Sequence, residues 1–416
     1  MARTRRPRSM TLTATTALVV AAMTGGHPAA AATRATTSVI FSFDGSSLGG
    51  YPDSDLVMDA AGNLYGSAVE GGTANGGVVF ELTSGPSGWT QTILHNFTGE
   101  LDGAEPYGGV TLDARGNVYG TAVTGGTGGG CEGGCGVLYE LTQSGGLWTE
   151  NVIHTFTGGA DGSGPGGGVT IDASGNVFGT TPTGGSFGLG VIYEASPKGA
   201  GWTFRVIHPF TGGRDGATGA KGRLTLDARG TLYGVATAGG QYGSGVAYRL
   251  AETPGGKWRL KALYQFQGEP DVGFPYGALA FDAKGNLFGT SYYDGANEVG
   301  GVYELSPTPS GPWKERVLYS FAGSPDGASS ISGLVFDAAG NMYGTTSEGG
   351  AGKGTIFELS PNGDGTWTES VAYSFAGAPD GAFPYDGMLG DGVGNFFGAT
   401  VHGGTDDEGA VYQFTP

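Results

Sequence analysis

Carboxylates recur at fixed intervals in this sequence. Asp102, Asp161, Asp215, Asp271, Asp326 and Asp380 each stand five residues after a Phe, and a seventh copy of the stretch carries Leu48 instead. A ring of carboxylates could bind cations or sugar hydroxyls. Gly follows the Asp in five of the six copies, which is also the pattern of an Asx-type turn satisfying its own backbone, and the turn is the simpler reading. Tyr51, Tyr107, Tyr276 and Tyr385 flank a Pro in the same stretch, while Tyr242, Tyr292 and Tyr293 lie in a second kind of Gly-rich loop. Exposed rings can stack on sugars with the hydroxyl kept in water; at repeat positions they also pack over the ends of elements. Glu81, Glu140, Glu194, Glu304 and Glu358 share one slot, filled by Arg249 and Gln413 in other copies. Glycosidases need two carboxylates at a set distance. A slot repeated along the chain spreads its acids apart, so cross-strand pairing or solvent is expected of them.

His95, His154 and His208 occupy a slot held elsewhere by Tyr264, Tyr319 and Tyr373, which makes them strand residues; His402 stands alone in a Gly loop. No nucleophile has a recognisable base and orienting group, as covalent catalysis requires. Gly45–Gly49 and Gly184–Gly188 match the serine-hydrolase elbow. Without strand–elbow–helix surroundings such matches are chance products of abundant Gly, as are Gly-x-Gly-x-x-Gly runs without a βαβ unit. No catalytic residue, metal site or cofactor is assigned.

A repeat must position these side chains. The stretch Asp337–Thr346 occurs seven times, beginning at Asp59, Asp113, Asp172, Asp227, Asp282, Asp337 and Asp391, at spacings of 54, 59, 55, 55, 55 and 54 residues. An Asp, two free positions and a Gly read as a hairpin tip, and an aromatic strand follows. Each unit can be written as four strands; in the sixth they are Gly333–Asp337, Asn341–Thr346, Gly354–Leu359 and Trp367–Phe375. In the fourth strand before it, Trp313, Val317, Tyr319 and Phe321 fall on one face, and Lys314, Arg316 and Ser320 on the other, a period of two. All six Trp begin a fourth strand, a packing role. The last unit lacks its fourth strand, and Val39–Phe43 matches that strand's core. The N-terminal strand can therefore complete the last blade of an all-β, seven-bladed β-propeller of four-stranded blades, where closure removes open edges. An open solenoid would need polar caps at both ends and gives no reason for complementary missing pieces.

Gly makes up 87 of 416 residues, but aromatic residues are 11% and recur in register, unlike a disordered tract. Residues 1–32 read as an export signal: Arg3 to Arg8 are basic, Leu12 to Met23 apolar, and Ala29 to Ala32 offer a cleavage site. The apolar run is too short for a membrane span. The propeller then occupies residues 33–416. A net charge of −18 repels nucleic acid and anionic lipid. Cys131 and Cys135 sit where an insertion lengthens the second unit, and an oxidising compartment favours a disulfide between them.

The run Gly340–Thr346, then Gly349 and Gly350, then Gly354–Leu359, then Trp367 and Thr368 resembles the GloVer tandem repeat, over essentially all of residues 38–416. Thr231 in place of Asn, the interrupted pair at Gly295 and Gly392 after Asp391 depart from it. The resemblance implies a bacterial exported protein and brings no catalytic residues.

In a propeller the loops between second and third strands, and those between blades, share the usual ligand face. The side chains varying most between units there are Tyr107, Lys221, Arg223, Tyr276, Tyr292 and His402, and they are the candidate ligand residues. The opposite face, built from near-identical Asp turns, is expected to leave little room for a site. The expectation is a monomeric exported binding or scaffold module, for cell-envelope or extracellular glycans or a protein partner. The alternative is a secreted carbohydrate-active hydrolase or lyase using acidic residues of the ligand face. A purely structural surface component is a third reading.

Overall fold

The turn aspartates organise each unit from the inside. Asp113 Oδ1 accepts the backbone N–H groups of Arg115 and Asn117, at 2.8 and 3.0 Å, and Oδ2 accepts the Asn117 amide at 2.9 Å. The same set recurs at Asp59, Asp172, Asp282, Asp337 and Asp391, so the tip leaves no Asp oxygen idle. Thr231 replaces the Asn of the fourth copy and keeps the backbone bond to Asp227.

The computed structural model describes residues 35–416 other than 220, 221 and 310; the expected signal segment 1–32 and the candidate Lys221 lie outside the described residues. Seven antiparallel sheets of four principal strands stand in a ring, a seven-bladed β-propeller. Blade 2 runs Val110–Leu112, Val118–Ala122, Val137–Ser144 and Leu147–Thr155. Blade 7 runs Leu389–Gly390, Phe396–Thr400 and Ala410–Thr415, and its fourth strand is Thr36–Ser42, paired from Thr36 opposite Thr415 to Ser42 opposite Ala410 with a one-residue bulge between Val39 and Phe41. The first strands are only two or three residues long, shorter than the five residues expected.

The core lies between blades. One cluster joins Val79, Leu94 and Phe97 of blade 1 to Val118, Val137, Tyr139 and Leu141 of blade 2. The Gly of each second strand makes room for the aromatic ring opposite it: Gly120 pairs with Tyr139, and a Cβ on Gly120 would stand 2.3 Å from the Tyr139 hydroxyl.

A second glycine sets the joint between blades. Gly77, Gly136, Gly190, Gly245, Gly300, Gly354 and Gly409 all have φ between 84° and 100°. Each carbonyl accepts the N–H of the Phe that ends a fourth strand, from Phe97 on Gly77 to Phe43 on Gly409, at 3.0–3.1 Å. In five of the seven the Pro that opens the following blade packs against that glycine, as Pro106 does on Gly77.

Around the axis neighbouring blades meet through backbone. A Cβ on Gly108 would lie 2.6 Å from the Gly167 carbonyl, and one on Gly277 2.1 Å from the Ser332 carbonyl. The Gly387 N–H donates to Asp55 Oδ1 at 3.1 Å, joining blade 7 to blade 1. The void left among these loops is about 10 Å³, room for about one water.

Candidate functional site

The inter-blade loops are held at both ends. Each pairs with the loop after its own blade's second strand, through contacts from Gly50 with Glu70 round to Ala382 with His402. At one matching slot each also holds a residue in the left-handed region: Tyr51, Glu105, Gly164, Thr218, Phe274, Ser329 and Phe383, with φ of 53–64°. Their N–H groups donate to a carbonyl of the preceding blade, from Glu105 on Gly76 to Tyr51 on Glu408, at 2.8–2.9 Å. In a chain rich in Gly, six of seven positions carry a side chain in a conformation that costs about 1–2 kcal/mol. The sequence signal for this latch is weak, a Pro following in five copies.

Within this frame the loop aspartates are engaged by their own loops and strands. Asp161 Oδ2 accepts the Thr157 N–H at 3.0 Å and the His154 Nε2–H at 3.0 Å, and Oδ1 accepts the Thr157 hydroxyl. Asp215 does the same with Thr211 and His208; Asp102 accepts the Thr98 N–H and hydroxyl, with His95 Nε2 farther off, at 3.4 Å from Oδ2. Asp271, Asp326 and Asp380 accept from the hydroxyls of Tyr264, Tyr319 and Tyr373 at 2.8–2.9 Å. The histidine slot and the aspartate slot, seven residues apart, are thus two halves of one contact. Burial pushes the pKa of His95, His154 and His208 down despite the Asp.

The candidate ligand residues separate into three groups. Tyr107 and Tyr276, both half-buried, line one depression of about 270 Å³ with Val123, Pro182 and the glycines of blade 3. Tyr276 leads on to Tyr292, with ring centroids 6.2 Å apart, and Tyr292 to Tyr293 at 4.3 Å. His402 lies away from these, edge-on to Tyr51 at 5.1 Å and Phe383 at 5.8 Å, a packed ring with Nδ1 3.3 Å from the Asp407 carbonyl. Arg223 lies across the ring from blade 1. Its Nε is 3.4 Å from Asp55 Oδ2, and its Nη1 donates to the Thr111 hydroxyl at 3.2 Å, so it ties blade 4 to blades 1 and 2.

A family's sequence profile matches residues 28–221, 127–312 and 221–416, three overlapping stretches that reach the last residue. The chain belongs to the Gloeobacter/Verrucomicrobia repeat family. None of the curated proteins matches it significantly. Among solved structures, a protein from Lactobacillus plantarum is similar, at 15% identity and a TM-score of 0.52, over 85% of this chain and 99% of its own. A protein of unknown function from Dyadobacter fermentans is 10% identical, with a TM-score of 0.44, over 91% of this chain and 97% of its own. The first of these shows the fold alone.

The Gloeobacter/Verrucomicrobia repeat places a further set of acids that the sequence reading passed over. Glu150, Glu315 and Glu369 lie in fourth strands, each with Oε1 buried and unpartnered. Burial, with Asp102, Asp271 and Asp326 of the loops entering the same blades close by, pushes Glu150 and Glu369 up to about 7 and Glu315 well above its usual range. A carboxyl held protonated by folding contributes fully below its unfolded pKa, and the contribution is lost as pH rises through the folded value. Glu315→Gln is therefore expected to be more stable than the parent at pH 8, by about 1–2 kcal/mol after allowing for screening of a part-exposed group. The gap should close by about pH 5, and the histidines cancel because both proteins carry them. Urea midpoints at the two pH values check this; a gap independent of pH refutes it.

The family's turn face also departs from expectation. A cleft of about 700 Å³ opens there between blades 2 and 3, lined by Glu140, Asn151, Tyr119 and Trp202 among others. The Asp turns are alike, but the side chains filling the space between them are not. The Cys131–Cys135 disulfide is formed, with Cα atoms 5.2 Å apart. Among the described residues no helix is long and apolar enough to cross a membrane.

Proposed function

We propose that this protein is an exported binding module that holds a neutral saccharide on the face of the inter-blade loops, in the depression between Tyr107 and Tyr276. The observation that carries the reading is the depression itself. Its described lining is two tyrosines with Val123, Pro182, Thr218 and four glycines, without a charged side chain. Aromatic faces with a polar rim suit the apolar face and hydroxyl edge of a sugar ring. At about 270 Å³ it stands just below the usual small-molecule range of about 300–1,000 Å³, which favours one or two sugar units of a longer glycan. The disulfide is compatible with export. The hydrolase alternative would draw on the acids of the same face, and the six loop aspartates are already engaged by their own turns and by His or Tyr.

A glycan array on the mature protein, followed by calorimetry on the hits, tests the reading. Tyr276→Ala should weaken saccharide binding about tenfold or more, since one stacked ring is worth about 1–3 kcal/mol, and leave the melting temperature unchanged. Arg223→Ala should instead lower the melting temperature, because it releases Asp55 and Thr111. No neutral glycan bound, or turnover of a bound polysaccharide, would refute the proposal.

A further inference from the structure

The seven blades carry their own comparison for the cleft on the turn face. In blade 3, Glu194 Oε1 accepts the Ser196 hydroxyl, and Oε2 accepts Arg205 Nε at 2.9 Å and the Trp258 indole N–H of blade 4 at 2.9 Å. The same guanidinium reaches on to the Gly256 carbonyl in the turn before that Trp, at 3.2 Å. Blade 5 repeats the arrangement: Glu304 Oε1 accepts from Ser306, Oε2 from Arg316, and Arg316 Nη1 donates to the Gly365 carbonyl at 2.7 Å. In both blades the arginine stands directly across the strand pair from the glutamate. It bridges two blades with a planar fork of donors.

Blade 2 keeps the glutamate and lacks the arginine. Glu140 faces Asn151. Its Oε1 accepts the Tyr119 hydroxyl at 2.7 Å, and among the described residues its Oε2 accepts the Asn151 amide alone, at 3.3 Å. The rest of the arginine's surroundings are in place: Trp202 of blade 3, edge-on to Tyr119 at 6.0 Å, and Ala200, two residues before that Trp as Gly256 is before Trp258. The volume that Arg205 and Arg316 fill elsewhere belongs here to the open cleft of about 700 Å³. Blades 1 and 6 also set a short residue, Thr92 or Ser370, opposite their glutamate. In the cleft beside Glu140, carboxylate, indole, phenol and turn backbone line one space.

The geometry points to an arginine side chain of a protein partner as the occupant of this cleft: its guanidinium takes Glu140 Oε2 and the Ala200 carbonyl, and its stem lies along Tyr119 and Trp202. Charge favours it, since a chain of net charge −18 attracts basic segments. A carboxylate paired with a fork of N–H donors and flanked by aromatic faces selects arginine over lysine or a neutral side chain. Arg115 on the cleft rim is the internal cation that an incoming arginine must outcompete. The site is on the face opposite the saccharide depression and does not depend on that reading.

The probes are the blocked tripeptide acetyl-Gly-Arg-Gly-amide and its Gln and Lys counterparts, titrated into the mature protein and followed by the indole N–H resonances. The Arg peptide should saturate with a shift at Trp202 and bind about tenfold more tightly than the Gln peptide. Glu140→Gln should remove that preference. Asn151→Arg, which supplies the missing side chain from within, should abolish binding, while Thr92→Arg, which adds the same charge to blade 1, should not. Equal affinity for the three peptides, or Arg binding that survives Asn151→Arg, would overturn the assignment. If neither blade 2 variant moves the melting temperature, loss of fold is removed as an explanation.

Discussion

A chain lacking residues 35–43 is expected to lose most of its stability and to associate. Those residues supply the fourth strand of blade 7, paired along its length with Ala410–Thr415. Phe43 is fully buried and belongs to the cluster that joins blade 7 to blade 1, with Val411, Phe397, Leu56, Leu64 and Phe80. Its ring is edge-on to Phe80 at 5.2 Å, and its N–H closes the joint on Gly409. Truncating one such ring costs about 3–5 kcal/mol, against a total stability of about 5–15 kcal/mol for a typical protein. Removing the strand also bares the edge of Ala410–Thr415, and unpaired edges recruit other chains. Thermal melts at two protein concentrations, with light scattering, check both effects. Phe43→Ala should show the stability loss without the association. A deletion variant that melts like the parent and stays monomeric would show that the ring holds without this strand.

Gly190→Ala should cost about 2–4 kcal/mol, and Gly230→Ala about 1 kcal/mol. Both glycines have positive φ, 88° and 78°, so both substitutions carry the conformational penalty. They differ in surroundings. A Cβ on Gly230 meets nothing within 4 Å, whereas one on Gly190 falls 2.1 Å from the Thr181 carbonyl. That carbonyl belongs to the end of the second strand of blade 3, where Thr181 is paired with Val191 of the third strand. The Gly190 carbonyl also receives the Phe210 N–H at the joint. Urea denaturation of the two variants measures the difference directly; equal costs would mean that the joint yields as easily as an exposed turn.

Local chemistry made much of the fold legible. An Asp that caps its own backbone, a Gly at positive φ and a following aromatic need only neighbours within about ten residues, so the Asp59-type turns and the strands around them follow from spacing alone. The lengths of the first strands did not follow, because how far pairing runs beside a crowded axis depends on the neighbouring blades. The candidate site was legible by composition and not by geometry. Tyr107 and Tyr276 are 169 residues apart in sequence and share a depression with the loops that enter blades 3 and 4. Arg223 has the same exposed, variable character in sequence, yet it is a tie across the ring, decided by Asp55 in a different blade.

What the sequence by itself determined is the unit: four strands, the turn that starts them, the number of copies and the complementary ends. These depend on periodicity and backbone capping, which are properties of short stretches. What only the tertiary structure decided is which side chains are consumed in holding blades together and which are left over. His154 is consumed by Asp161, and Arg205 by Glu194 and the next blade's turn, while Glu140 keeps an oxygen for which the chain supplies only a long contact. Such partners stand seven to fifty residues or more apart. Whether they meet is set by the stacking of one blade on the next; beside Glu140, where Asn151 stands in the arginine slot, a cleft lies open.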